Sequence, residues 1–210
     1  MKRGQFIYIT GCDGTGKTTQ ARLLLEQLNA QGLKTRHVWL RFPFFLSAPL
    51  LAYARLRGYS WHEETEGVRH GYWDFQRSRL MRHFFPWALL LDAAMAALWK
   101  IYIPLWLRHT IVCERFVLDM LVDLEVACGE AHFYSQWPGR LYLRLIPERP
   151  IIVMLVLDIK TLCTRRVDLT SDRRLADRLE AFQSLARDMK ITMISSALPV
   201  KEVNGLIARF

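Results

Sequence analysis

Short apolar runs alternate along this chain with stretches whose apolar residues recur at helical spacing. Five runs have the length of β-strands, and they are QFIYIT (5–10), TRHVWL (35–40), TIVCERF (110–116), PIIVMLVLD (150–158) and ITMISS (191–196). Residues 18–31 carry apolar side chains at i, i+3, i+4 and i+7, which predicts an amphipathic helix. The pattern predicts further helices over 48–57, 74–100 and 174–188, after the third strand to about Cys128, after the fourth strand, and at the C-terminus.

Strands that alternate with helices form a parallel sheet covered on both faces. The sequence therefore predicts an α/β fold with about five parallel strands, as one domain over 1–210. Two segments interrupt the alternation. The polar stretch GYSWHEETEGVRHGYWD predicts an insertion near 58–75, and RRVDLTSDRRL predicts an arginine-bearing lid near 165–174.

The segment FFPWALLLDAAMAALWKIYIPLWL (84–107) is long and apolar, but two prolines, Asp92 and Lys100 interrupt it. No uncharged run in it reaches the roughly 18 residues of a membrane span. A buried helix or an oligomer interface is the favoured interpretation. A peripheral membrane contact is the less favoured alternative.

The chain of 210 residues has a formal net charge of +9, which favours polyanionic partners: nucleotides, nucleic acid or an anionic membrane. A basic surface without a specific partner fits the charge equally well. The basic and aromatic segments match no nucleic-acid-binding module, so we expect no nucleic acid partner. The four cysteines lack the spacing of a zinc site, which predicts reduced thiols and a cytoplasmic protein.

The stretch GCDGTGKT (residues 11–18) fits the phosphate-binding pattern G-x-x-x-x-G-K-[ST], and it lies between a predicted strand and a predicted helix. Glycines let backbone N–H groups surround phosphate oxygens at a helix N-terminus. Lys17 would reach the terminal phosphates of ATP, and the Thr18 hydroxyl would hold Mg²⁺. The predicted ATP-binding residues are Gly11, Asp13, Gly14, Thr15, Gly16, Lys17, Thr18 and Thr19.

Polar residues follow other predicted strands, at the edge of the sheet where ligands bind. Glu114 is a candidate magnesium ligand, Arg115 is a candidate phosphate ligand, and Asp158 is a rival to Glu114. Arg41 and Phe42 are candidate acceptor contacts, although a strand end packed on the core fits them equally well. No role is assigned to the histidines.

The lid contains four arginines, which suits a reaction that depends on neutralising phosphate charge. They are Arg165, Arg166, Arg173 and Arg174. An arginine-rich solvated surface is the alternative. Asp13 needs a partner beside phosphates; an arginine, a sugar hydroxyl or exposure to solvent would each account for it.

Several motifs together resemble the thymidylate kinase family of nucleoside monophosphate kinases. GCDGTGKTT is similar to that family's phosphate loop, RFP to its motif after the second strand, and ERF to its D-R-[YF] motif. LVLDIKTLCTRR, RLEAFQSLARDM and ISSALPVKEV are similar to later family segments, in the same order. The resemblance covers most of the chain and implies a fold of the P-loop NTPase type.

The resemblance implies transfer of the ATP γ-phosphoryl group to dTMP with Mg²⁺, by a homodimer that pairs through the apolar helix. Asp13 would lie near the acceptor sugar, Arg115 would hold the acceptor phosphate, and Arg41 and Phe42 would frame it. Because the loop has no arginine of its own, the family pattern places the catalytic arginine in the lid, at Arg173 or Arg174.

The chain departs from the family in the D-R-[YF] motif and at positions that recognise thymine. Glu114 replaces an aspartate, and Asp123 takes a position where the family has a polar or aromatic residue. Leu91 and Met95 take the positions of a stacking aromatic residue and an arginine. The insertion offers replacements, which are Trp61, Tyr72, Trp73, Phe75 and Arg77.

Three functions therefore stay open at this point. The first is a nucleoside monophosphate kinase, with dTMP as the favoured acceptor. The second is a kinase of another acceptor, such as a deoxynucleoside or a phosphorylated metabolite. The third is a phosphate-loop ATPase or switch that acts through a partner. The lid arginines and the pair Glu114 and Arg115 favour a kinase, because a switch needs no second phosphate site.

Overall fold

Seven β-strands form in the residues that the computed structural model describes, 4–65 and 67–209. They are β1 (Phe6–Gly11), β2 (Thr35–Trp39), β3 (Ser60–Thr65), β4 (Val68–Trp73), β5 (Thr110–Glu114), β6 (Ile151–Val156) and β7 (Thr192–Ser195). Five strands form one parallel sheet in the order β2-β5-β1-β6-β7. These are the five strands that the apolar runs predict, so the α/β prediction is confirmed.

Nine α-helices lie within the same described residues. They are α1 (Lys17–Ala30), α2 (Ala48–Leu56), α3 (Arg79–Ala97), α4 (Ile103–Trp106), α5 (Val117–Cys128), α6 (Trp137–Leu143), α7 (Ile159–Arg165), α8 (Leu175–Asp188) and α9 (Val200–Ile207). A π-helical turn, Leu98–Tyr102, joins α3 to α4. The single helix predicted over 74–100 thus begins later, at Arg79, because Phe75–Arg77 forms a 3-10 turn and the Ser78 hydroxyl caps α3.

Helices cover both faces of the sheet, and the alternation along β1 shows how. Ile7 and Ile9 pack with residues of α1 and α9 in the smaller core. Tyr8 points to the opposite face and joins the larger core, which contains residues of α2, α3, α5, α6 and α8. Because successive strand side chains face opposite ways, a central strand buried on both faces must be apolar throughout. All six residues of β1 are buried.

The predicted polar insertion near 58–75 is not an irregular loop. Strands β3 and β4 pair antiparallel in a separate two-stranded sheet, with Ser60 opposite Trp73. Trp61 and Tyr72 are cross-strand neighbours with ring centroids 5.8 Å apart, a contact that stabilises such a pair. Glu66, within the predicted insertion, lies outside the described residues. We refer to residues 60–73 as the hairpin.

The long apolar segment is only partly buried. By length and composition alone, the helical segment Arg79–Trp106 could span a membrane, with a mean hydropathy of 1.5 in its most apolar window. The core helix of a soluble protein meets the same criterion, and Phe85, Leu89 and Ala93 are fully buried. The prediction of a buried helix therefore holds for one face only.

The buried Asp92 connects α3 to the loop that follows β2. Its carboxylate accepts hydrogen bonds from the backbone N–H groups of Phe45, Leu46 and Ser47, at 2.7–2.9 Å, and from the Ser47 hydroxyl at 2.6 Å. A buried carboxylate is costly unless it is hydrogen-bonded, and these four donors satisfy it. Asp92 interrupts the apolar pattern of α3 because it anchors this loop.

We expect Asp92→Asn to lower the free energy of unfolding at pH 7 by about 1–3 kcal/mol, because an amide accepts fewer of these hydrogen bonds. Burial opposes ionisation, but the four donors outweigh it and lower the pKa of Asp92 below its ordinary 3.8. The unfolded state therefore binds more protons, and this stabilisation is present above pH 3.8 and is lost as the pH falls through the lower folded-state pKa. Urea unfolding of the unmodified protein and of Asp92→Asn, at a series of pH values below 7, measures this loss of stability. A loss of stability with acid that is equally steep in Asp92→Asn would contradict it.

Candidate functional site

The glycine loop (residues 11–18) joins the central strand β1 to α1, and its backbone conformation requires glycine. Gly11, Gly14 and Gly16 have φ angles of 132°, 85° and 86°, a region that favours glycine. A Cβ atom at Gly11 would collide with the carbonyl oxygen of Leu155, on the neighbouring strand β6. Because α1 begins at Lys17, the free N–H groups of its first turn lie at this loop, where an anion is favoured.

Lys17 folds back over the glycine loop. Its ammonium donates to the carbonyl oxygens of Gly11 and Cys12, both at 2.7 Å, and lies 3.8 Å from the Asp13 carboxylate. The residue is 4% exposed, and burial lowers the pKa of its ammonium. The Thr15 hydroxyl also donates to Cys12, at 2.8 Å, which tightens the turn.

Thr18 and Glu114 meet at the carboxyl edge of the sheet, as the sequence predicts for a shared ion. The Thr18 hydroxyl donates to one Glu114 carboxylate oxygen at 2.7 Å. The other oxygen contacts His37 Nε2 at 2.7 Å. The rival Asp158 is an exposed cap of α7, and hydrogen bonds from Thr161 lower its pKa. Of the two carboxylates, Glu114 is the one in contact with the glycine loop.

The histidine contact was missed by sequence reasoning, although the register contains a signal for it. In the pairing of β2 with β5, Trp39 lies opposite Glu114 and His37 opposite Val112. Residues i and i+2 share a face of a strand, so His37 is a diagonal neighbour of Glu114. The alignment of the two predicted strands would have suggested the contact.

Asp13, whose partner the sequence left open, is held by arginines. Arg115 forms an ion pair with it, and Arg41 Nη1 lies 3.4 Å from its carboxylate. Arg41 also contacts Asp123, with Nε 3.1 Å from the carboxylate. Three of the four residues predicted to bind the acceptor, Asp13, Arg41 and Arg115, therefore form one cluster beside the glycine loop, and the Phe42 ring lies 5.3 Å from the Arg41 guanidinium.

Arg115 occupies a left-handed backbone conformation, with φ 58°, which is uncommon for a residue with a Cβ atom. The neighbouring turn is held by the fully buried Tyr8, whose hydroxyl accepts from the N–H groups of Phe116 and Leu118 at 2.9 and 3.1 Å. The same hydroxyl donates to Asp119 at 2.7 Å, and burial together with this carboxylate raises the pKa of Tyr8. This buried network positions Arg115.

A cavity of about 320 Å³ opens next to this arginine cluster. Its basic and acidic wall contains Arg41, Arg55, Asp123, Arg174 and Arg178. Its aromatic wall contains Trp39, Phe42, Phe44, Tyr72 and Trp73, so the hairpin contributes directly to it. We refer to this space as the aromatic cavity. Its size and mixed lining are typical of a small-molecule site.

A smaller cavity of about 150 Å³ lies between the aromatic cavity and the glycine loop. Arg41, Gly71 and Arg178 line both cavities, and Asp13 and Arg166 line the smaller one. A Cβ atom at Gly14 would lie 3.1 Å from the Leu162 side chain and 3.6 Å from Arg166 Cδ. The predicted lid therefore packs against the glycine loop itself.

The lid arginines occupy different positions. Arg173 is 78% exposed and lies 3.9 Å from Glu63 of the hairpin. Arg174 lines the aromatic cavity and donates to the Val126 carbonyl oxygen at 3.0 Å. Arg165 donates to the Ser196 carbonyl oxygen, and Arg166, paired with Asp168, lies nearest the glycine loop. Sequence reasoning named Arg173 and Arg174 as catalytic and did not single out Arg166.

Leu91 and Met95, which the resemblance aligns with the family's thymine contacts, lie away from the aromatic cavity. Leu91 and Met95 are 55% and 42% exposed on the outer face of α3, and neither lines the aromatic cavity. Among the alternatives in the insertion, Tyr72 and Trp73 line the cavity and Trp61 packs on Tyr72. Phe75 is fully buried in the core, and Arg77 lies over the Tyr59 ring, 5.8 Å from its centroid.

Among the residues that the structure describes, no group of three or more His, Cys, Asp or Glu side chains could hold a metal ion. A metal at Thr18 and Glu114 would need ligands from a bound phosphate or from water, as Mg²⁺ commonly takes. No protein-family model matches this chain, and comparison with curated proteins finds no match either. Its function must therefore be inferred from the site.

Proposed function

We propose that this chain is a P-loop NTPase-type kinase that transfers the γ-phosphoryl group of ATP to a nucleoside monophosphate, with dTMP the favoured acceptor. One observation carries the proposal. Between the glycine loop and an arginine-lined cavity of the size of a small molecule lies a smaller cavity, which Asp13 of the loop lines together with Arg41, Gly71 and Arg178 of the larger cavity. Two adjacent anion sites suit phosphoryl transfer better than simple hydrolysis.

The glycine loop would hold the donor. Its glycines and the first turn of α1 offer backbone N–H groups, and Lys17 lies over the loop with its ammonium on two carbonyl oxygens. Lys17 would exchange these contacts for the terminal phosphates. Thr18 and Glu114, whose oxygens lie 2.7 Å apart, would hold Mg²⁺. When bound, this ion would neutralise charge on the transferring phosphate.

The aromatic cavity would hold the acceptor. Phe42 and Trp73, with ring centroids 4.7 Å apart, offer apolar faces for a nucleobase. Arg41 and Arg178 line the smaller cavity together with Asp13. In that cavity the acceptor phosphate would face the donor. The hairpin thus supplies the base contacts that the family pattern expects from α3.

The reaction is a direct displacement. An oxygen of the acceptor phosphate forms a bond to the γ-phosphorus, and the bond to the β–γ bridging oxygen breaks with its electron pair, so that ADP leaves. Arg115 and Arg41 would orient the acceptor phosphate and screen its repulsion from ATP. Arg166, Arg173 and Arg174 are the lid cations available to neutralise the transferring group.

The test is formation of ADP in a coupled assay with ATP and Mg²⁺, with and without each of a panel of nucleoside monophosphates and deoxynucleosides. We expect ADP to form only when an acceptor is present, fastest with dTMP. Acceptor-dependent turnover with another compound would leave the kinase class intact and change the acceptor. ADP formation at the same rate without any acceptor would overturn the proposal in favour of an ATPase.

A further inference from the structure

The outer face of the segment from α3 to α4 carries a continuous row of exposed apolar side chains. They recur every three, four or seven residues, as one face of a helix does. We refer to them as the apolar stripe, and they are Leu80, Phe84, Leu91, Met95, Leu98, Trp99 and Trp106. Trp99 and Trp106 are 70% and 69% exposed, and Leu107 follows at 64%. Seven exposed large apolar side chains on one helical face indicate a contact with another molecule or with a membrane.

The opposite face of the same helices belongs to the protein core. Ala97 and Ile101 are fully buried there, in the core that also holds Phe85 and Leu89. Removing this face into a bilayer would leave a large void in the core, at high cost. The segment therefore cannot cross a membrane while the protein stays folded, and only the outer face is available for a contact.

Positive charge surrounds the apolar stripe. Residues 79–109 contain Arg79, Arg82, Lys100 and Arg108, and the only carboxylate in that range is the buried Asp92. Carboxylates of other described segments also come near: Glu130 lies 3.4 Å from Arg82, and burial together with the negative charge of Glu148 raises the pKa of Tyr102. A helix that lies on an anionic membrane surface typically combines cationic side chains with exposed tryptophans and leucines, as this segment does.

A groove of about 590 Å³ at the start of α3 adds a place for lipid headgroups. Arg79, Arg82 and His83 line it together with Glu130, which pairs with Arg82, and with two tryptophans, Trp87 and Trp137, whose ring centroids are 5.4 Å apart. Tryptophan favours the polar interface of a bilayer, and arginine binds phosphate in two-pronged fashion.

We propose that the apolar stripe rests in the surface of an anionic phospholipid membrane, with the surrounding cations at the level of the headgroups. A second copy of this chain fits the stripe less well, because a two-fold contact through it would place the same cationic rim against itself. The weaker alternative from the sequence, a peripheral membrane contact, thus becomes the favoured one.

Co-sedimentation with vesicles of phosphatidylcholine, with and without phosphatidylglycerol, tests this proposal on the full chain. We expect anionic vesicles to bind the protein at least about tenfold more strongly than neutral ones, and salt to weaken the binding. The double variant Trp99→Glu with Trp106→Glu should lower binding at least about tenfold, because both apolar anchors are lost. The separate variant Lys100→Gln should lower it about fivefold.

The double variant Met193→Glu with Val200→Glu is the matched control, since it places the same two charges on exposed apolar positions of β7 and α9, outside the stripe. It should bind vesicles like the unmodified protein. Equal binding to neutral and anionic vesicles, or unchanged binding by the tryptophan double variant, would overturn the proposal. So would a dimer in sedimentation velocity that the tryptophan double variant dissociates, if the unmodified protein binds no vesicles; a second copy would then cover the stripe.

Discussion

Lys17→Met should reduce acceptor-dependent phosphoryl transfer by about a hundredfold or more, the loss expected when one charge-stabilising group is removed from a reacting centre. The ammonium lies at the centre of the glycine loop, 2.7 Å from the carbonyl oxygens of Gly11 and Cys12. Methionine keeps most of the apolar stem, so the loop keeps its packing and loses the charge with its two hydrogen bonds. Initial rates at saturating ATP and acceptor measure the effect.

The folded state should tolerate this change. Burial lowers the pKa of the Lys17 ammonium, which means that the charge is costly where it stands and that its removal offsets the two lost hydrogen bonds. We expect the midpoint of thermal unfolding to shift by no more than about 4 °C. Lys201→Met, on the exposed surface of α9, is the control and should leave both turnover and stability unchanged. Near-normal turnover of Lys17→Met would remove the glycine loop from the mechanism.

The parallel sheet could be predicted because each of its strands is a local apolar run. In β5 and β1 every residue is buried, and no alternation with polar positions obscures the pattern. The hairpin escaped prediction because its strands, SWHEET and VRHGYW, mix charged and aromatic residues. Its stability depends on pairing between two segments rather than on burial of either one, so composition indicated only a polar insertion.

The candidate site likewise has one part that the sequence predicts and one part that it does not. The glycine loop is a contiguous motif whose backbone geometry follows from its own glycines, and sequence reasoning located it. The aromatic cavity is built from β2 and the loop after it, α2, the hairpin, α5 and α8, which only tertiary structure brings together. Its wall could not be assigned by counting along α3, because one face of that helix is buried and Leu91 and Met95 lie on the other. Asp92, between them in sequence, anchors the cavity's loop instead.

Arg115→Ala should lower kcat/KM for the acceptor by about thirty- to a hundredfold, with KM for ATP changed by less than about threefold. The reason is geometric. Arg115 is paired with Asp13 beside the smaller cavity, on the acceptor side of the glycine loop. Loss of a charged, hydrogen-bonded contact to a phosphate costs about 2–3 kcal/mol. Alanine and arginine are equally strained at φ 58°, so the conformational energy of the backbone at this residue is nearly the same in the variant.

Two further variants separate binding from positioning. Arg22→Ala removes an arginine that is 73% exposed and 3.9 Å from Glu26, a surface pair of little energetic value, and it should leave both KM values unchanged. Asp13→Asn weakens the pair but keeps the Arg115 charge, so it should raise KM for the acceptor less than Arg115→Ala does.

If instead Arg115→Ala raised KM for ATP more than KM for the acceptor, Arg115 would serve the donor. The acceptor phosphate would then have to rely on Arg41 and Arg178, the two arginines that line both cavities.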